Sequence, residues 1–305
     1  MPHPTRRLVV ASLGGAAAGT LAGSLSQAWA ADSAPRPAAA ARAVTAQPAG
    51  HHPAPLRRAH AHNDYEHTHP LADALQHRFT SVEADIWLVD GKLLVGHDIG
   101  DLSPDRTLES LYLDPLLKRV VANHGSVHAG HRVSLQLLID IKNTGEETYR
   151  ELHRRLRYYR SILSTAVGGK VRTGPVTPVI SGDRAARGPM EAQHLRYAFY
   201  DGRLDDLGTH TPASFMPLVS ANWTSTFSWN GAGPMPADER AKLHDIVDDA
   251  HAHRQRVRFW GTPDTPSHER DDVWHELLDA RVDHINTDDL AGLERFLDAF
   301  DRTRA

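Results

Sequence analysis

The 305-residue chain contains no cysteine, which removes disulfides, thiol catalysis and thiolate metal ligands together. Stability must then come from the core, even in an oxidising compartment. Charge of one sign is missing too: 34 Lys and Arg stand against 38 Asp and Glu, a formal net charge of -4. General affinity for nucleic acid favours a strongly basic face, so that class is excluded. The local basic run RELHRRLRYYR has helical spacing and reads as a solvated face. The one small-and-apolar run of any length lies in the first thirty residues, where it reads as an export signal and not a membrane span.

That signal, residues 1–30, has a basic start, an apolar middle and Ala28-Trp29-Ala30 as a cleavage site. Arg6-Arg7 before Leu8-Val9-Val10 resembles a twin-arginine signal, which exports proteins already folded. A secreted, extracellular protein is expected. Residues 31–55 are rich in Ala and Pro without apolar period, the composition of a disordered linker. One folded domain is expected over residues 56–305.

Within it, short β-like runs alternate with helical patterns, the signature of parallel strands joined by crossover helices. The runs LRRAHAH, SVEADIWLV, VSLQLLIDIK, VTPVISGD, RYAFYDG, LVSANW, RVRFWGTPD and VDHINTDD give about eight strands, the number of a (β/α)8 TIM barrel. KLLVGH returns from the second strand as a hairpin across Asp90-Gly91. Barrel chemistry sits at the carboxyl ends of the strands. Late polar residues are therefore the candidates: His62, Asn63, Glu83, Asp85, Asp140, Lys142, Asp183, Asn222, Trp260 and Asp288.

Side chains alternate along a strand, so Glu83 and Asp85 project together, as do Asp140 and Lys142. Three carboxylates converging on a barrel mouth repel one another unless a cation compensates them. Without cysteine in the set, a hard divalent ion, Mg²⁺ or Ca²⁺, suits them better than zinc. His62 ends the first strand and His97 the hairpin, so two imidazoles can serve as acid and base beside that metal.

His62-Asn63-Asp64, Glu83-Ala84-Asp85, Gly96-His97-Asp98, Ile139-Asp140-Ile141-Lys142 and Val282-Asp283-His284-Ile285-Asn286-Thr287-Asp288 together resemble the ordered motifs of the glycerophosphodiester phosphodiesterase-like superfamily. The wording HNDY, SVEAD and VGHD is most similar to its branch called altered inheritance of mitochondria protein 6, and the set also resembles the phospholipase D toxins of spider venom. The resemblance spans roughly residues 58 to 295. It implies a TIM barrel with His62 and His97 as catalytic groups, Glu83, Asp85 and Asp140 as metal ligands, and Lys142 neutralising the substrate phosphate. Trp260 would line the substrate pocket, with Asn63 beside the phosphate. The superfamily's usual His-Arg-Gly is His62-Asn63-Asp64 here, and its Pro-Glu-Asn-Thr is replaced by His69-Pro70-Leu71-Ala72, so the phosphodiester class is implied but not the glycerol leaving group.

The expected function is a secreted, metal-dependent phosphodiesterase acting on a phospholipid, lysophospholipid or glycerophosphodiester. A monomer is expected, with no nucleic-acid partner. Phe227 and Trp229, in the loop 224–236, offer a transient membrane-surface contact, an ordinary barrel lid being the plainer reading. Two alternatives stand beside it: an amidohydrolase using His60-Ala61-His62 with Asp288, and an inactive binding protein on the same barrel. A glycosidase is excluded because its two carboxylates come from separated positions, whereas Glu83 and Asp85 are near neighbours.

Overall fold

The computed structural model describes residues 52–304; the expected signal and nearly all of the expected linker lie outside the described residues. In chain order the strands are β1 (Leu56–Ala61), β2 (Phe79–Val89), β3 (Lys92–Val95), β4 (Leu135–Ile141), β5 (Thr165–Val167), β6 (Lys170–Arg172), β7 (Val176–Gly182), β8 (Leu195–Arg196), β9 (Phe199–Gly202), β10 (Leu218–Asn222), β11 (Arg256–Trp260) and β12 (His284–Thr287). Eight of these described strands run parallel in the order β1-β12-β11-β10-β9-β7-β4-β2, and β1 pairs with both β12 and β2 to close the ring. The fold is the expected (β/α)8 barrel.

Local sequence explains several element ends. Asp90 (φ 49°) and Gly91 (φ 74°) both take the left-handed conformation that a two-residue hairpin turn needs, and β3 returns antiparallel on β2. The helix 268–279 starts where the Ser267 side chain accepts the Arg270 N–H, and the helix 114–122 carries proline in its first turn. Two departures from the sequence reading stand out. The run expected as one strand over Arg196–Gly202 is broken at Tyr197–Ala198, because Leu195–Arg196 pair with β5 in a separate sheet. That three-stranded sheet, β6-β5-β8, had no clear signal in the sequence.

The large apolar core lies between barrel and helices. Outward strand residues such as Val82, Ala84, Ile139, Val219, Phe259 and Ile285 pack with the helical Leu116, Leu152, Leu243, Trp274 and Leu293. The barrel interior divides by chemistry instead. Leu138, Val179, Phe199 and Leu218, inward on β4, β7, β9 and β10, form a separate apolar cluster. On β11, β12, β1 and β2 the inward positions are Arg256, Arg258, His284, Asn286, His60, Ser81 and Glu83, a polar column. Ala166 of β5 joins the apolar cluster, so the small sheet plugs the barrel bottom under its apolar half.

Candidate active site

Register brings the carboxylates together. Asp85 on β2 pairs directly with Asp140 on β4, and Glu83 lies one inward position below Asp85. Oxygen atoms of Glu83, Asp85 and Asp140 all lie within 4.8 Å of one another, the one such three-residue group among the described residues. Gly182 of β7, at φ 80°, sits against Asp140 Oδ1 and the Ile141 backbone, where any Cβ would collide, so β7 passes close because that position is glycine.

Each carboxylate has a different environment. Glu83 is buried; its Oε2 accepts from Arg258 Nη2 at 2.7 Å and lies 3.2 Å from His60 Nε2. Burial opposes its ionisation, but the Arg258 charge and the His60 contact outweigh it and hold the carboxyl well below the usual range. Asp85 Oδ2 gathers three groups: the Tyr65 hydroxyl at 2.7 Å, Lys142 Nζ at 2.8 Å and His97 Nδ1 at 3.1 Å. Its Oδ1 is buried with no partner among the described residues. Asp140 is pushed up to about 6 by burial and by the charges of Glu83 and Asp85, against the pull of Lys142 at 3.4 Å.

These residues fit a hard divalent cation. Three carboxylates against the two cations Lys142 and Arg258 leave a residual negative charge, and the bare Asp85 Oδ1 lacks the donor that a buried carboxylate oxygen requires.

The two histidines stand on different supports. His62 follows β1 and Asp288 follows β12, adjacent strands, and His62 Nδ1 lies 2.9 Å from Asp288 Oδ1. Asp288 is held in turn by its own N–H, which donates to Asp264 Oδ2 at 2.6 Å. Burial lowers the His62 pKa, but the Asp288 hydrogen bond and the Glu83 charge prevail, and the imidazole sits above its ordinary value. His97 Nδ1 rests against Asp85 and 3.2 Å from the Tyr65 hydroxyl, while its side chain remains exposed. Tyr65, kept protonated by burial and by Asp85, also donates within reach of Asn63 Oδ1 at 3.0 Å. Trp260 ends β11 on the same rim, more than a third exposed.

Other strand-end candidates do other work. Asp183 accepts from the Ala185 and Gly145 N–H groups, and Asn222 from Ser225 N–H, so both cap helical turns. Phe227 and Trp229 are buried with Trp223 and Phe259 in an aromatic cluster, so the loop does not present them to a membrane; Ile99 and Trp260 are the large apolar side chains exposed among mouth-side residues. His60 does not join His62 as a metal-binding pair: its Nδ1 lies 2.7 Å from Ser81 Oγ, its Nε2 contacts Glu83, and burial drives it down to about 4, so it is neutral. The amidohydrolase geometry is therefore not assembled.

Asp64, the third residue of the first motif, faces the protein and not the mouth. Its Oδ2 accepts from Leu71 N–H at 2.6 Å and Tyr112 OH at 2.9 Å, while Oδ1 has no partner among the described residues. Burial pushes it from 3.8 up to about 7. A carboxyl raised in the folded state stabilises below its unfolded pKa and loses that contribution as pH rises through the folded one, here between about 4 and 7. Asp64→Asn should accordingly gain stability relative to the parent on going from pH 5 to pH 8, by roughly 2–3 kcal/mol. Urea unfolding at the two pH values measures this, and a constant difference between the proteins would contradict it.

Residues 52–201 match the model of the AIM6-like phosphodiesterase domain. Over that segment the chain is similar to AIM6-like phosphodiesterase domains. Residues 256–291 match the model of the glycerophosphoryl diester phosphodiesterase family. Relatives named altered inheritance of mitochondria protein 6 include one from Eremothecium gossypii, 29% identical over 79% of this chain and 69% of that protein. Another is from Kluyveromyces lactis, 28% identical over 78% and 71%, and a homologue from Arthroderma benhamiae is 28% identical over 76% and 81%. A solved phosphodiesterase of Oleispira antarctica, in complex with the product sn-glycerol-3-phosphate, superposes with a TM-score of 0.47 at 13% identity, over 80% of this chain and 97% of that one. The AIM6-like segment carries His62, Asn63, Glu83, Asp85, His97, Asp140 and Lys142; the second matched segment carries Arg258, Trp260, Asp264 and Asp288.

Arg258, Tyr65 and Asp264 were not singled out as site residues by sequence reasoning, whereas Asp288 stood among the strand-end candidates without its role beside His62. Arg258 had a usable signal: in Arg256-x-Arg258-x-Trp260, alternation turns all three to the barrel interior. Tyr65 stood in the HNDY wording, but it lies in a turn after the strand, where no periodicity fixes its direction.

Proposed function

We propose that the barrel mouth hydrolyses a phosphodiester by acid–base catalysis between His62 and His97, with a divalent cation held by Glu83, Asp85 and Asp140. The observation that carries this reading is the placement of two separately supported imidazoles around one carboxylate cluster that has a bare buried oxygen and an adjacent ammonium. The cation, when bound, supplies charge stabilisation on the phosphoryl oxygens. Lys142 adds a second positive group at the same place.

With Nδ1 turned to Asp288, His62 keeps Nε2 for the reaction and in its neutral form accepts the proton of an attacking water or substrate hydroxyl. As that oxygen bonds to phosphorus, the opposite P–O bond breaks and His97 gives its proton to the departing alkoxide. The carboxylate behind each ring keeps the accepting or donating nitrogen aimed. Trp260, on the rim, offers an apolar wall to the part of the substrate beyond the phosphate.

The test is turnover of bis(p-nitrophenyl) phosphate and a panel of lysophospholipids with Mg²⁺ or Ca²⁺, repeated after EDTA and for Glu83→Ala. Metal removal should lower the rate at least about 10²-fold, and readdition should restore it. Turnover indifferent to EDTA would remove the cation from this reading.

A further inference from the structure

The opposite end of the barrel holds a feature that phosphodiester hydrolysis does not use. Arg57 and Arg58 open β1, Thr80 opens β2, Arg132–Ser134 precede β4, and Arg256, Asp283 and His284 open or precede β11 and β12. All of these are amino ends of neighbouring strands, and they line one cavity of about 410 Å³. It lies under the polar half of the barrel interior, beside the half that the small sheet plugs through Ala166.

The charges around it are unbalanced. Among the described residues none of Arg57, Arg58, Arg132 and Arg256 forms an ion pair, whereas Arg78, Arg187 and Arg240 each reach a carboxylate. Asp283 is the one acidic residue on the cavity wall, and its Oδ2 is already engaged by His251 Nε2 at 2.9 Å and by the Val257 N–H at 2.8 Å. Arg256 Nη1 meets only His284 Nε2, at 2.9 Å. His284 itself is 3% exposed, and its Nδ1 has no partner among the described residues. Burial holds that imidazole well below its ordinary pKa, so a guanidinium here donates to a neutral ring, and the carboxylates of Asp283 and Asp201 act on Arg256 only through space.

Arg57 and Arg132 are exposed, so the cavity wall presents guanidinium groups to solvent with one carboxylate that is already engaged. We propose that Arg57, Arg58, Arg132 and Arg256 form a binding site for a phosphate-type oxyanion at the barrel bottom, separate from the catalytic mouth. Planar guanidinium forks match the oxygens of phosphate, free or on a small molecule, and the cavity admits a ligand larger than one phosphate group. None of these four arginines is among the residues placed at the mouth.

Inorganic phosphate and pyrophosphate, titrated calorimetrically into the whole protein, test this. Because the mouth also attracts phosphate, the titration is run on Lys142→Ala and on the exposed pair Arg57→Ala/Arg132→Ala. The expected result is anion binding that survives Lys142→Ala, weakens at least tenfold in the arginine pair and fades with added salt, while the arginine pair keeps its turnover at the mouth. Binding that vanishes in Lys142→Ala, binding unchanged in the arginine pair, or no binding of either anion at millimolar concentration would each overturn the proposal. Turnover reports on the mouth, and calorimetry on Lys142→Ala reports on the bottom site, so failure of one does not imply failure of the other.

Discussion

His62→Ala should lower kcat on a phosphodiester by roughly 10²–10⁴-fold with little change in stability, the range for loss of a positioned general acid or base. The imidazole sits at the junction of β1 and β12, and its Nδ1 contact with Asp288 is the one interaction that turns the other nitrogen outward. Asp288→Asn tests the role more finely. The hydrogen bond and charge of Asp288 help hold the His62 pKa above 6.5 against burial, so the base is fully neutral only at higher pH. Removing that carboxylate takes away a raising influence, and the acid limb of the kcat/KM profile should move to lower pH. The limb moving upward would refute the assignment. If instead the alkaline limb moved down, His62 would be the proton donor and His97 the acceptor.

How much of this was legible in the sequence follows from where each residue lies. Glu83, Asp85 and Asp140 were readable because they sit on strands, and Lys142 because it directly follows one, where period-two alternation fixes direction and parallel register fixes neighbours. The eight-strand count was readable for the same reason, from alternating strand and helix patterns. Tyr65 was not, because a 3₁₀ turn carries no period that says where a hydroxyl points. The β5-β6-β8 sheet was missed because its strands are two or three residues long, below the length at which alternation can be seen. Asp64 shows the opposite failure: it stands in a motif yet faces inward, since Asn63, at φ 45°, turns the chain just after β1. A motif letter says which residues recur together, while only the backbone says which of them meets solvent.

The barrel's polar column rests most heavily on Arg258, and its loss should be the most damaging change to the fold. The side chain is 3% exposed; it donates to Glu83 Oε2 at 2.7 Å and, through Nε, to Asn286 Oδ1 at 2.8 Å. Arg258→Ala strands a buried carboxylate that keeps only the neutral His60 beside it. Breaking a buried pair from one side costs roughly 3–5 kcal/mol, because the remaining charge is left uncompensated. Urea unfolding should record that loss, and the double variant Arg258→Met/Glu83→Gln should recover much of it, since it buries neither charge. The same change alters the mouth. With Lys142 then the sole cation against three carboxylates, the cluster becomes more negative, so added Mg²⁺ or Ca²⁺ should stabilise Arg258→Ala more than the parent protein. Equal metal-induced stabilisation of the two proteins would mean that Glu83 belongs to the structural column and not to the cation site, and a loss under about 1 kcal/mol would mean that water already reaches this pair.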